Sequence, residues 1–319
     1  MMRQVHMRQL MREARGKGVW AASLLLAVLL PAAASAQGGS GGEGLSPALS
    51  AIKSAHVVHL GYRESSPPFS FLDQANRPIG YSLELCEAVV DEIGVEVDDP
   101  NLKIEYVKVT SDDRIQAVLD KKIDLECGST TANAERGKQV AFSPLMFVAG
   151  TKLMVPKASP VQAATDLKGK TVVVTKGTTN EQAMHNVDKK FSLGLNIVTS
   201  PDHEQSYQML VDGKADAFAT DDILLYGLIA RHKSQDKFHV VGDYLSYDPY
   251  GIMFRKGDPE LSAVVERAFR KLGSNHDLVP LYEKWFMRRL PTGERLDVAM
   301  SPQLEDAFKA MDDSPSANQ

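Results

Sequence analysis

The chain has 319 residues, 43% of them hydrophobic and 24% charged, enough for two domains that each bury a core. Its 36 basic and 41 acidic side chains give a net charge of −5 without a basic stripe, which excludes the electrostatic footprint of a nucleic-acid binder. The eight histidines are scattered and the two cysteines lie far apart, so no metal or other cofactor is expected.

The first element is a leader. Arg3, Arg8, Arg12, Arg15 and Lys17 form a basic segment, residues 19–30 are almost wholly apolar, and Pro31 leads through small residues to Ala34-Ser35-Ala36. That order reads as a secretory signal peptide over 1–36, cut after Ala36, and predicts a periplasmic protein. The apolar run is short of the ~20 residues that a spanning helix takes. No Cys stands at the cleavage point to accept a lipid. Removing the leader leaves 31 basic and 40 acidic side chains, a charge of about −9. Any anionic ligand must therefore meet positive charge that is concentrated locally.

Residues 37–50 begin Gly/Ser-rich and read as a flexible leader, with the folded part starting near Ala51. Strand and helix signals then alternate. Residues 57–61 form a short apolar strand, 83–93 have helical spacing, 104–109 alternate as a strand, 114–119 open a helix and 123–127 are a strand. The pattern repeats with a β-branched run at 171–174, a helix from about 180 to 187, a strand at 196–198, a helix at 204–212 and a strand at 217–219. Such alternation predicts an α/β protein with parallel sheets covered by helices. Two units of this kind fit two lobes. The related extended segments 150–155 and 251–255 are read as the crossings between them. The first lobe is then 51–149 plus 246–290, closed by a helix over 260–272 and the segment 281–286. The second is 150–245, and 291–319 is left as a C-terminal tail. Cys86 falls in a helix and Cys127 at the end of a buried strand; two core thiols are favoured, with a disulfide left open.

Open α/β sheets bind ligands beyond the carboxyl ends of their strands, so the residues just after each strand matter most. Arg63 follows the first strand, where a guanidinium can grip a carboxylate with two parallel bonds or simply pair with Glu64. Thr110-Ser111-Asp112-Asp113-Arg114 follows the next strand, with Ser111 read as the helix N-cap. Arg114 opposes the helix dipole there, which favours a bound anion beside it over a bridge to Asp112 or Glu105. Glu126-Cys127-Gly128-Ser129-Thr130-Thr131 places hydroxyls directly after a strand, with a helix start and Arg136 beyond. Gly177-Thr178-Thr179 repeats that arrangement in the second half, presenting free N–H groups. His203 and Asp221 end the list, each equally able to serve as a helix cap. Together these positions offer cations, hydroxyls and one carboxylate, the complement of a molecule with two carboxylates and one ammonium.

The stretches 61–69, 110–114, 124–136, 140–143, 166–179 and 219–225 resemble the periplasmic amino-acid-binding proteins that serve ABC importers, solute-binding family 3. The run Glu126 to Thr131 with Glu135-Arg136 matches the branch that carries glutamate and aspartate. The resemblance spans about 51–308. It implies a two-lobed periplasmic-binding-protein fold of type II that closes on L-glutamate or L-aspartate about two hinge strands. It implies no enzymatic activity, membrane permease subunits as partners and a monomer. Carried over by position, Arg136 with Thr131 and Thr179 takes the α-carboxylate. Asp221 with Ser129 takes the ammonium, and Arg63, Ser111, Arg114 and His203 receive the side-chain carboxylate. Cys86 lies outside the family pattern. The alternatives are a dehydratase-like periplasmic enzyme on the same scaffold and a sensory ligand-binding module.

Overall fold

The computed structural model describes residues 44–312. The expected signal peptide over 1–36 and the polar end over 313–319 lie outside the described residues. Among the described residues, no helix is long and apolar enough to cross a membrane.

Two five-stranded sheets organise the fold. In the first, Lys103–Lys108, Val57–Tyr62, Leu125–Glu126, Met253–Arg255 and Val140–Phe142 lie side by side in that order. The first three are parallel, and Met253–Arg255 runs antiparallel to both neighbours. The second sheet repeats the plan. Asn196–Ser200, Thr171–Thr175 and Ala217–Asp221 are parallel, and Thr151–Pro156 lies antiparallel between Ala217–Asp221 and Phe238–Val241. Among the three parallel strands of each sheet the chain starts on the middle one, steps out one place, and returns to the other side. That reversal opens a crevice at the carboxyl ends of the parallel strands.

The residue chemistry of Thr171–Thr175 explains its place. It is β-branched throughout, and its successive side chains fall on opposite faces. Val172 and Val174 pack with Leu153, Ala217 and Ala219, whereas Val173 packs with Met154 and Phe218 on the other side. Helices cover both faces, as a parallel sheet requires. Helix Thr179–Phe191 starts where the Thr178 hydroxyl accepts from Glu181 N at 3.3 Å, and helix His203–Val211 where Asp202 accepts from Gln205 N at 2.8 Å. Both starts therefore face the crevice.

The strands that join the two halves sit a few residues from the expected place. Phe147–Ala149 pairs antiparallel with Asp248–Tyr250, while the segments read as crossings are strands of the sheets themselves. Periodicity could not separate a three-residue crossing from the strand it runs into. Phe147 and Tyr250 anchor the crossing in the aromatic core of the first lobe. Phe147 stacks on Phe286 at 4.8 Å, and Phe286 on Tyr282 at 4.4 Å.

Five local readings need correction. Residues 47–50 are not a leader: Pro47–Ala55 is a helix whose Ala48, Leu49 and Ile52 are buried, started by Ser46 and by Pro47 at its first position. The segment 291–319 is not simply a tail, because Pro302–Asp312 is a helix that buries Leu304 and Phe308 in the first lobe's core. Ser111 is not an N-cap; helix Arg114–Leu119 starts from Asp113, and Ser111 turns elsewhere. No helix follows the hydroxyl run at once. Thr131 makes a β-bridge to Tyr250, and only a 3-10 turn, Arg136–Lys138, comes after it. The two core thiols favoured above are instead a disulfide, since helix Tyr81–Glu96 lies over the end of strand Leu125–Glu126 with 6.2 Å between the two Cα atoms.

Candidate functional site

Eight of the nine candidate residues stand at the end of a strand or within a few residues beyond it, and Arg136 stands in the 3-10 turn Arg136–Lys138 that follows the Ser129–Thr131 run. Seven of the nine line one tight pocket with only about 10 Å³ of free space, the lobes being closed down on it: Ser111, Arg114, Ser129, Thr131, Thr179, His203 and Asp221. Thr178, Asn180 and Leu224 complete its wall. The remaining two, Arg63 and Arg136, flank it. Arg63 borders a charged cavity on one side with Lys108, Asp202 and Arg231, and Arg136 borders a wider cavity at the mouth of the cleft.

The three arginines are buried: Arg63 is 1% exposed, Arg114 2% and Arg136 8%. None of the three forms an ion pair with a carboxylate among the described residues, and their environment is hostile to charge. Burial, then repulsion from Arg114, lowers the pKa of Arg63 to about 10 and that of Arg136 to about 9. Burial lowers that of Arg114 as well, against the opposing field of Glu126. His203 is pushed well below the ordinary histidine value by burial and then by Arg63 and Arg114, so its ring is neutral. Its Nδ1 is 2.8 Å from Thr175 Oγ1.

Several buried donors in this group have no partner within the protein: Arg63 Nη1 and Nη2, Arg114 Nε, Ser111 Oγ and Ser129 Oγ. Buried polar groups in native proteins are hydrogen-bonded almost without exception, and an orphan costs about 1–3 kcal/mol, more if charged. The four donors on Arg63, Arg114 and Ser111 mark a place built to surround an oxygen-rich anion, while the Ser129 hydroxyl can also accept.

The opposite polarity is present too. Asp221 is 3% exposed and its pKa is raised to about 7, by burial and then by the nearby charge of Asp248. Tyr250 Oη donates to one of its oxygens, and Asn180 Nδ2 to the other at 2.8 Å. Asp248, on the crossing strand, accepts from Thr131 Oγ1 at 3.0 Å and from Thr179 Oγ1 at 2.8 Å, one hydroxyl from each lobe.

The lobes meet over the cavity. Arg136 donates from Nη1 to Thr131 O at 3.0 Å and from Nη2 across the cleft to Gly177 O at 3.3 Å. Gly177 lies at φ +75°, and a Cβ there would fall 2.7 Å from Asp112 Cα in the facing lobe. Only glycine permits this approach.

Sequence reasoning missed Asn180, Tyr250, Asp248, Glu126 and Thr130 as parts of the site. Glu126 and Thr130 sat inside a run already singled out for its other members, and Asn180 directly follows the run Gly177-Thr178-Thr179. Tyr250 and Asp248 lie on the crossing strand, which no strand-end rule reaches.

Comparison with known proteins agrees with this geometry. The family model described as "Bacterial extracellular solute-binding proteins, family 3" matches residues 58–288. The chain is similar to the L-glutamate/L-aspartate-binding protein of Pseudomonas aeruginosa, 42% identical over 265 residues, covering 82% of this chain and 87% of that protein. It is 36% identical over 258 residues to the glutamate/aspartate import solute-binding protein of Salmonella typhimurium, covering 81% of this chain and 85% of that one. Among solved structures, the P235GK mutant of ArgBP from T. maritima superposes with a TM-score of 0.68 at 30% identity, covering 76% of this chain and 100% of that one.

Proposed function

Because the chain belongs to family 3 of the bacterial extracellular solute-binding proteins and has their two-lobed type II fold, we propose that it captures L-glutamate or L-aspartate between its lobes for an ABC-type importer. The observation that carries this reading is the set of four unpartnered buried donors on Arg63, Arg114 and Ser111, with Asp221 the carboxylate that lines the same pocket as Arg114 and Ser111.

Roles follow from polarity. Arg63, Ser111, Arg114 and His203 receive the side-chain carboxylate of the ligand. Arg136, Thr131 and Thr179 take the α-carboxylate, the two hydroxyls turning to it from Asp248 Oδ1. Each terminal nitrogen of Arg136 has two N–H groups, so its bonds to Thr131 O and Gly177 O leave donors free. Asp221 and the Ser129 hydroxyl hold the ammonium. The perturbed groups His203 and Asp221 are thereby assigned to binding, and the protein is read as a carrier that returns its ligand unchanged. It acts in the periplasm after removal of residues 1–36, as a monomer, and hands the ligand to membrane permease subunits.

Titration calorimetry of the secreted protein against a panel of amino acids tests this. L-glutamate or L-aspartate is expected to bind at micromolar affinity or tighter. Arg63→Met removes one partner of a buried charge, worth about 2–5 kcal/mol, or roughly 30- to several-thousand-fold in affinity. That loss is expected for the acidic ligands and not for glutamine. Tighter binding of a neutral or basic amino acid, or chemical conversion of the ligand, overturns the reading.

A further inference from the structure

The strand end that carries Ser129 and Thr131 also brings a buried anion close to the arginines. Glu126 and Thr130 are both 0% exposed. Arg114 Nη1 donates to Thr130 Oγ1 at 2.7 Å, and that hydroxyl donates in turn to Glu126 Oε2 at 2.5 Å. Glu126 forms no ion pair with any cation among the described residues, and its Oε1 has no partner. Its carboxylate is held beneath the turn at Gly128, where a Cβ would come within 2.3 Å of Oε1 and 3.0 Å of Arg63 Cγ.

A guanidinium and a carboxylate this close in a dry interior are driven toward a direct, two-bond pair. Such a pair would take two of the five N–H donors of Arg114 and turn the guanidinium toward Glu126. A threonine hydroxyl prevents it because it is both acceptor and donor. It satisfies one N–H of Arg114 and one oxygen of Glu126, and it occupies the space between them. The guanidinium keeps other N–H groups for the cavity, Nε among them, which has no protein partner.

We infer that Thr130 is a positioning and selectivity residue, holding Arg114 off Glu126 so that this guanidinium stays available to the distal carboxylate of an acidic amino acid. The inference rests on the function proposed above.

Four proteins test it by calorimetry with L-glutamate: wild type, Thr130→Ser, Thr130→Ala, and Thr130→Ala combined with Glu126→Gln. Thr130→Ser keeps the hydroxyl and is expected to bind within about threefold of wild type. Thr130→Ala lets Arg114 collapse onto Glu126 and is expected to lose about 10- to 100-fold, in line with a charge-assisted bond. Adding Glu126→Gln removes the competing anion and is expected to recover most of that loss, which damage to folding alone would not allow. Should Thr130→Ala fail to fold, the isosteric Thr130→Val is read in its place, again with and without Glu126→Gln. A double variant as weak as the single one, or a Thr130→Ala protein that binds like wild type, overturns the inference. Wild-type protein that ignores acidic amino acids overturns instead the function on which it rests.

Discussion

Gly177→Ala tests whether the cleft works by closing. The added Cβ would lie 2.7 Å from Asp112 Cα and 2.9 Å from Ser111 O. Both are backbone atoms of the facing lobe, so no rotamer change relieves the contact. Ordinary contact needs about 3.5–4.0 Å, and the seam must therefore open by about 1 Å. Three interactions sit on that seam: Arg136 Nη2 to Gly177 O at 3.3 Å, Thr131 to Thr179 at 3.2 Å, and Lys176 to Asp112 at 2.9 Å. The lysine pair is exposed and contributes at most about 1 kcal/mol. The arginine bond is charge-assisted and contributes about 1.5–3 kcal/mol, or roughly 10- to 150-fold in affinity. A side chain at φ +75° adds about 1–2 kcal/mol of backbone strain, but that strain is the same whether the lobes are open or closed. Two measurements separate the effects. Melting without ligand reports the strain, as a fall of roughly 2–8 °C. Calorimetry with L-glutamate reports closure, as a loss of about 10- to 100-fold. Wild-type affinity in a variant with a lowered melting temperature would refute the reasoning, because closure would then not need this contact.

The remaining predictions concern Asp221 and the disulfide. With the Asp221 pKa raised to about 7 in the ligand-free cleft and lowered by a bound ammonium, binding expels a proton below that pH. L-glutamate affinity is therefore expected to be level above pH 7 and to fall by up to about tenfold per unit below it. Asp221→Asn should bind weakly at every pH with no such slope, and an unchanged slope in that variant would remove Asp221 from the ammonium site. Replacing both Cys86 and Cys127 by Ala opens a bridge of sequence separation 41, worth about 4 kcal/mol in chain entropy. The melting temperature is expected to drop by roughly 8–16 °C. A drop under about 3 °C would mean that the surrounding core already holds the binding segment in place without the bridge.

What was legible in the sequence were features that repeat or that break a local rule. The β-branched run Thr171–Thr175 announced its strand, and Arg114 announced a site because a cation is out of place at a helix start. Residues whose whole role is to hold another side chain gave no such signal. Thr130 looks like one more hydroxyl in a row of three, and its neighbours in space, Arg114 and Glu126, are not visible as neighbours in the chain's local pattern. Asp248 takes one hydroxyl from each lobe, a property that exists only once the lobes face each other. The helix Pro47–Ala55 hid behind composition, because the Gly/Ser-rich stretch before it masked the Ser46-Pro47 start signal.

The charge pattern also explains why ligand and closure depend on each other. In the closed cleft three guanidiniums are almost out of water, and Arg63 and Arg114 have donors that no protein atom satisfies. Without an anion, that closed arrangement is penalised for each buried, unpaired charge. With a dicarboxylate in place, the same burial strengthens every bond to it, since the low dielectric that penalises a lone charge rewards a paired one. Glu126, Asp221 and Asp248 balance the three cations formally, so the cleft does not attract anions in general. On the proposed assignment it favours a ligand that brings two carboxylates to the arginine side and an ammonium to Asp221. A dicarboxylate of similar length without the amine, glutarate, is therefore expected to bind at least about 30-fold more weakly than L-glutamate, because it leaves Asp221 buried without a cation. Competition of glutarate against L-glutamate in calorimetry measures the difference. Equal affinity would show that the arginines alone select the ligand and that Asp221 takes no part in recognition.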